Sequence, residues 1–208
     1  MKSDTPKQFM LLAGKPVLMH TIERFREAIP GINIVVVLAG NLNDQWRELC
    51  KEYRFTVPHQ LADGGSTRFH SVRNGLAIIP PGCLVGVHDA ARPLVSVKTI
   101  LSAFATAGQK GNACPFVPVF DSLRKVDGEN NVAVDRNSFR IIQTPQCFQS
   151  SLLKQAFLQD YSDQFTDDAS VLEALGEKIN LVEGNAENIK ITTAKDLIIA
   201  EALLPSLK

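Results

Sequence analysis

The chain has 208 residues, 45% hydrophobic and 21% charged, a composition that suits a soluble globular protein folding as one domain over 1–208. Its 22 Lys and Arg equal its 22 Asp and Glu, so no overall field draws nucleic acid or an anionic membrane, and any anion site has to be local. No apolar run approaches the roughly 18 residues of a membrane span, and no signal-peptide core follows Met1. Cys50, Cys83, Cys114 and Cys147 lack metal-ligand spacing and read as reduced thiols in a cytoplasmic protein.

In chain order, residues 1–15 open without a strand, and Ala13-Gly14-Lys15-Pro16 reads as a turn. Apolar residues at near-helical spacing from Val17 to Ala28 predict a helix that Pro30-Gly31 stops. The β-branched run Ile34 to Ala39 predicts a strand covered on both faces. A helix from Asn43 or Asp44 to Tyr53, a short strand from Thr56 to His59 and a helix from Arg68 to Ile79 follow. Leu84 to Val87 predicts the next strand, with a helix from Val97 to Ala107 and a strand from Ala113 to Val119 behind it. This alternation argues for an α/β fold, a Rossmann-like, mostly parallel sheet with helices on both faces.

The texture changes at Asp121. Two polar strands around Asp127-Gly128-Glu129-Asn130-Asn131, ending near Arg136, read as a β-hairpin too polar to bury much on its own domain. The expectation is a projecting arm at about 121–138. Ile141-Ile142 returns to the sheet. Helices at 151–160 and 168–175, a strand at 179–182 and a helix at 193–204 complete the chain.

Several short phrases are candidates for chemistry. Val87-His88-Asp89-Ala90-Ala91-Arg92-Pro93 ends a strand, where ligands of open α/β sheets bind. Asp89 offers a carboxylate to a hard cation, Ala90 and Ala91 let a ligand approach, and Arg92 suits a phosphate. A plain Asp–Arg turn explains the same residues. Lys7 stands in a loop where it can act as a point charge on a polyphosphate or simply be solvated. Gly64-Gly65-Ser66 opens a helix, as an anion site or an ordinary cap, with Ser71 one turn in. Thr144 follows a strand, Thr166 opens a helix and Lys190 lies inside a late strand. Asp89, Lys7 and Lys190 together sketch a cation-plus-phosphate site. His20, His59, His70 and His88 share no metal spacing and read as structural. No GxGxxG follows a strand, which disfavours a dinucleotide-dependent dehydrogenase.

The phrases PKQF, GKPVLMHTI, GGSTRFHSV, VHDAARP, VDRNSFRIIQTPQCF, TDDAS and NIKIT stand in this order from residue 6 to about 200. Together they resemble the 2-C-methyl-D-erythritol 4-phosphate cytidylyltransferase family. The resemblance implies CMP transfer from CTP to methylerythritol phosphate with release of pyrophosphate, Mg²⁺ as cofactor, and a homodimer whose arms each touch the partner's site. It implies that Lys7 stabilises charge on the α-phosphate, that Gly65, Ser71, Asp89 and Ala90 hold CTP, and that Asp89 also holds the metal. Arg92, Ser122, Arg136, Thr144, Thr166 and Lys190 would bind the acceptor, with Ser122 and Arg136 reaching from the partner's arm and Arg136 and Lys190 joining Lys7 in the chemistry. Ser122 stands where the family usually has Thr, which keeps the hydroxyl.

The family pattern opens with a strand and a loop of the form AGGxGxRM, and this sequence begins at a methionine matching that loop's end. The expectation is a sheet with unpaired edges beside the missing strand, residues 6–14 loosely held, and weak CTP binding and turnover. Two rival readings remain at this point. One is a ribitol 5-phosphate cytidylyltransferase. The other is an impaired form acting only as a dimer or nucleotide-binding remnant.

Overall fold

The computed structural model describes residues 5–207. A 3-10 turn at Lys7–Phe9 leads to a small hairpin, β1 (Leu11–Leu12) and β2 (Lys15–Pro16). Both loop residues, Ala13 and Gly14, have positive φ, at 48° and 80°, as a tight two-residue hairpin requires. Then come α1 (Val17–Ala28), β3 (Val35–Leu38), α2 (Asn43–Glu52), β4 (Gln60–Asp63), α3 (Arg68–Ile78), β5 (Leu84–Val87), α4 (Val97–Lys110) and β6 (Asn112–Pro118). The arm is β7 (Leu123–Asp127) and β8 (Asn130–Val134). The rest is β9 (Arg140–Ile142), β10 (Gln146–Gln149), α5 (Ser150–Ala156), α6 (Asp168–Glu173), β11 (Leu181–Glu183) and α7 (Ala194–Leu203).

Helix starts follow side-chain chemistry. Thr67, Ser96, Asp167 and Thr193 each accept a hydrogen bond from a backbone N–H of the first turn they precede, satisfying donors that have no intrahelical partner.

The sheet is mixed. Its main path runs β11-β6-β10-β5, with β9 also on β6. β10 is antiparallel to both β5 and β6, so those two run in the same sense, while β11 lies parallel to β6. Helices cover both faces, and alternation along β10 shows how. Phe148 meets Phe69 and Leu76 of α3 and Leu153 of α5 on one face, whereas Cys147 meets Ala103 and Ala107 of α4 on the other. Gly86 of β5 sits under α4 so closely that a Cβ there would lie 2.9 Å from Cζ of Phe104.

β3 and β4 form a separate parallel pair. Among the described residues β3 pairs only with β4 and β5 only with β10. Between them lies an apolar cleft of about 750 Å³, walled by residues of β3, β5, α1 and α3. Among the described residues no strand joins β3 to β5 across it.

Three expectations are corrected. Residues 1–15 were expected to hold no strand, yet β1 lies at Leu11–Leu12, where the positive-φ pair Ala13 and Gly14 folds it back on β2. The second strand lies at Gln60–Asp63 rather than Thr56 to His59. Val57 and Phe55 instead pack around Trp46, whose indole N–H donates to Nε2 of His59 at 2.9 Å, so apolar side chains mark the core and not the ladder. Residues 6–14, expected to be loosely held, are anchored at two points. Phe9 stacks on Trp46 with ring centroids 5.9 Å apart, and Leu12 is fully buried among Val17, Leu94 and Ile191. Trp46→Ala is therefore expected to cost about 3–5 kcal/mol of stability in urea denaturation and to speed amide exchange at residues 9–12.

Candidate active site

β5 delivers His88 and Asp89 to the carboxyl edge of the sheet, where the chain turns and Arg92 N–H donates to the Asp89 carbonyl at 3.0 Å. Oδ2 of Asp89 accepts from Arg92 Nε and from Lys190 Nζ, each at 3.1 Å. Arg92 also donates from Nη1 to the carbonyl of Asn188 at 2.7 Å. Lys190 arrives from an irregular segment rather than a strand, a further correction to the expected elements. Ile189 and Ile191 on either side of it pack into the core beside Ala91 and Leu94, and that alternation turns the amine outward to Asp89. Burial alone would raise the Asp89 pKa, but the charge and hydrogen bond of Lys190, joined by Arg92, hold it below the usual carboxylate value.

Asp89 also binds a third element. Its backbone N–H donates to Oγ1 of Thr144 at 3.1 Å. Thr144 stands between β9 and β10, and Asn188 Nδ2 holds its carbonyl at 2.8 Å. Gln146, on β10, reaches the start of α6: its Nε2 donates to Asp167 at 2.7 Å and its Oε1 accepts from Ala169 N–H at 2.9 Å. Thr166 precedes that helix start.

Arg68 closes the ring from the start of α3. Its guanidinium makes a two-pronged pair with Asp168, at 2.8 and 2.6 Å, across 100 residues of sequence. Asp168 is fully enclosed. Burial pushes its pKa up against the pull of Arg68.

The result is a cavity of about 200 Å³ lined by Asp89, Arg92, Thr144, Thr166 and Lys190, all five expected from sequence. Arg68, Gln146 and Asp167 share its wall and were not expected. A strand-end glutamine and a helix-start arginine look ordinary in sequence, and no local signal shows that Arg68 meets Asp168.

The other candidates lie elsewhere. Lys7 is exposed on its 3-10 turn. Gly65 leaves no room for a side chain, since a Cβ there would fall 2.3 Å from Cβ of His70. Ser71 is committed locally, accepting from Gly65 N–H at 3.0 Å and donating to the Thr67 carbonyl at 2.9 Å. Ser71 and Ala90 border the apolar cleft. Ser122 and Arg136 belong to the arm, where both are exposed and Arg136 donates to the Phe120 carbonyl. Among the described residues no three His, Cys, Asp or Glu side chains cluster as metal ligands. Asp89 nevertheless keeps one carboxylate oxygen free, because both of its cations sit on Oδ2.

The family model for IspD, 2-C-methyl-D-erythritol 4-phosphate cytidylyltransferase, matches residues 1–206. The chain belongs to the 2-C-methyl-D-erythritol 4-phosphate cytidylyltransferase family. It is 49% identical to the enzyme of that name from Bacteroides thetaiotaomicron over 204 residues, covering 98% of this chain and 93% of that one. It is likewise 49% identical over 207 residues to the Porphyromonas gingivalis protein of that name, covering 99% and 92%. Among solved structures, the Thermus thermophilus cytidylyltransferase superposes with a TM-score of 0.77 at 34% identity, covering 96% of this chain and 94% of that one. The Francisella tularensis cytidylyltransferase superposes with 0.80 at 31%, covering 96% and 93%.

Two outcomes are expected of this site. Lys190→Met removes the largest favourable influence on Asp89 and should move its carboxyl titration to higher pH, read by carbon NMR of the side chain. In the parent chain the depressed Asp89 pKa adds stability above about pH 4, the unfolded carboxylate value, which is lost as pH falls through the folded pKa; Lys190→Met should shrink that contribution. Asp168→Ala should cost about 3 kcal/mol in urea denaturation, the low end for breaking a buried pair, because Arg68 keeps 38% of its side chain exposed and can reach water.

Proposed function

We propose that this chain transfers the CMP unit of CTP to the phosphate of 2-C-methyl-D-erythritol 4-phosphate. A phosphate oxygen of the acceptor attacks the α-phosphorus of CTP in line. The bond from that phosphorus to the β-phosphate oxygen breaks, pyrophosphate leaves, and a new diphosphate linkage joins CMP to the alcohol phosphate. Such chemistry needs positioning and charge neutralisation rather than a covalent enzyme intermediate. The observation that carries the reading is the cavity that gathers Arg68, Arg92 and Lys190 with the carboxylates of Asp89 and Asp167 at a strand's carboxyl end. The relatives' shared name supplies the substrates.

In this reading Arg92 and Lys190 hold acceptor and polyphosphate oxygens, while Thr144 and Thr166 contact the acceptor. Lys7 approaches the α-phosphate, and Gly65, Ser71 and Ala90 flank the nucleotide. Mg²⁺ usually takes one or two carboxylates, with phosphate oxygens and waters completing its shell. The free oxygen of Asp89 fits that role, and the ion would neutralise triphosphate charge there. The arm exposes Phe120 and Val126, at 74% and 69%, which supports a homodimer in which Ser122 and Arg136 reach the partner's cavity. Four free cysteines fit a cytoplasmic enzyme.

The test is pyrophosphate release with CTP and Mg²⁺, comparing methylerythritol phosphate with ribitol 5-phosphate. Release with the first and not the second is expected; preference for ribitol phosphate would reassign the acceptor, and no release with either would sink the reading. Lys7→Ala should lower kcat by about two orders of magnitude, the scale of losing one preorganised charge. Mixing Lys7→Ala with Arg136→Ala chains should restore activity, since one site of each mixed dimer then holds both intact residues. Continued inactivity after verified subunit exchange would place both residues in one subunit's site.

A further inference from the structure

His88 is not among the residues lining the cavity, yet it touches two of them. Nε2 stands 3.0 Å from the carbonyl oxygen of Arg92. A carbonyl only accepts, so Nε2 carries the proton. The ring packs edge-on against Phe25, with centroids 4.8 Å apart, an apolar contact that favours the uncharged imidazole. Part of its surface faces the cleft beside β5, but the surrounding chain encloses it enough to favour the neutral ring. In a neutral imidazole protonated at Nε2, Nδ1 is an acceptor.

That tautomer decides the chemistry of Thr144. Nδ1 lies 3.0 Å from Oγ1 of Thr144, so the threonine hydroxyl must donate its one proton to His88. One lone pair of the same oxygen already accepts from Asp89 N–H at 3.1 Å. What remains is a lone pair and no proton. Thr144 therefore has nothing to donate to a phosphate oxygen. The charged donors in the cavity are Arg68, Arg92 and Lys190, so a polyol phosphate placed there finds cations for its phosphate and needs acceptors for its hydroxyls.

We propose that His88 is a positioning residue that holds the Thr144 hydroxyl as an acceptor only, so that Thr144 engages a hydroxyl of the acceptor alcohol and not its phosphate. The substrate half of this inference rests on the proposed function; the hydrogen-bond polarity does not. A threonine free to donate would bind phosphate or hydroxyl alike. Fixing its polarity lets the site orient the alcohol backbone relative to the phosphate that attacks.

The test uses the whole chain and two probes, inorganic phosphate and methylerythritol phosphate, with binding followed by calorimetry. Nitrogen NMR of the imidazole in the unmodified protein should show Nε2 protonated and Nδ1 bare. Thr144→Val should weaken methylerythritol phosphate about three- to tenfold, the scale of one neutral hydrogen bond, and leave phosphate affinity within twofold. His88→Phe, which keeps a planar ring and has no acceptor at the Nδ1 position, should weaken the same probe, and the double variant should be no worse than the more affected single one, because both changes remove one contact. A merely structural His88 would move both probes together. A proton on Nδ1, or equal losses for the two probes, would overturn the proposal. Binding of neither methylerythritol nor ribitol phosphate, with the Nε2 proton in place, would overturn the functional reading and the substrate half with it. The polarity of Thr144 would then stand alone.

Discussion

A single carboxylate oxygen of Asp89 accepts two cations that come from different parts of the chain. Arg92 follows it by three residues, whereas Lys190 arrives from beyond β11. Without Asp89, both positive side chains would face each other at a partly enclosed strand end with no counter-charge. With it, they converge on one oxygen at the rim of the cavity, and the other carboxylate oxygen carries neither cation. The Asp89 backbone adds a third tie through Thr144. The loop after β5 therefore sets the spacing of the other cavity walls.

A second constraint comes from Arg68 and Asp168. Removing a carboxylate from water entirely is costly unless it is paired and hydrogen-bonded, and the two-pronged guanidinium contact meets that condition. The pair fastens the start of α3 to the start of α6. Gln146 fastens α6 to β10 through both ends of its amide. These polar links add little net stability relative to the apolar core, but they hold the rim of the cavity in one geometry. The core itself is divided by the sheet. Cys147 and Phe148, neighbours in sequence, serve opposite faces.

Much of this was legible in the residues. The order of helices and strands from Val17 to Val119 follows the periodicity of apolar positions, and the arm was visible in its polarity and its Asp127-Gly128 turn. Gly128 indeed opens the two-residue loop with φ of 57°. Asp89 was marked by its place after a strand, and Lys190 by a lone amine among apolar neighbours. β4 was misplaced because Phe55 and Val57 are apolar for a reason other than pairing: they surround Trp46. Arg68, Gln146 and Asp167 were overlooked because each looks unremarkable at its own position.

The sequence by itself determined the class of fold, the arm and the kinds of charge available to bind a phosphate, because these depend on local periodicity, turn chemistry and residue type. Only the tertiary structure decided which charges meet. Lys190 and Asp89 are a pair because Ile191 is buried and Ile189 packs beside it, and Arg68 and Asp168 are one because α3 and α6 pack on the same face of the sheet. The polarity of Thr144 was decided in the same way. A threonine hydroxyl can donate or accept, and nothing in its own segment chooses; an imidazole brought from the end of β5 does.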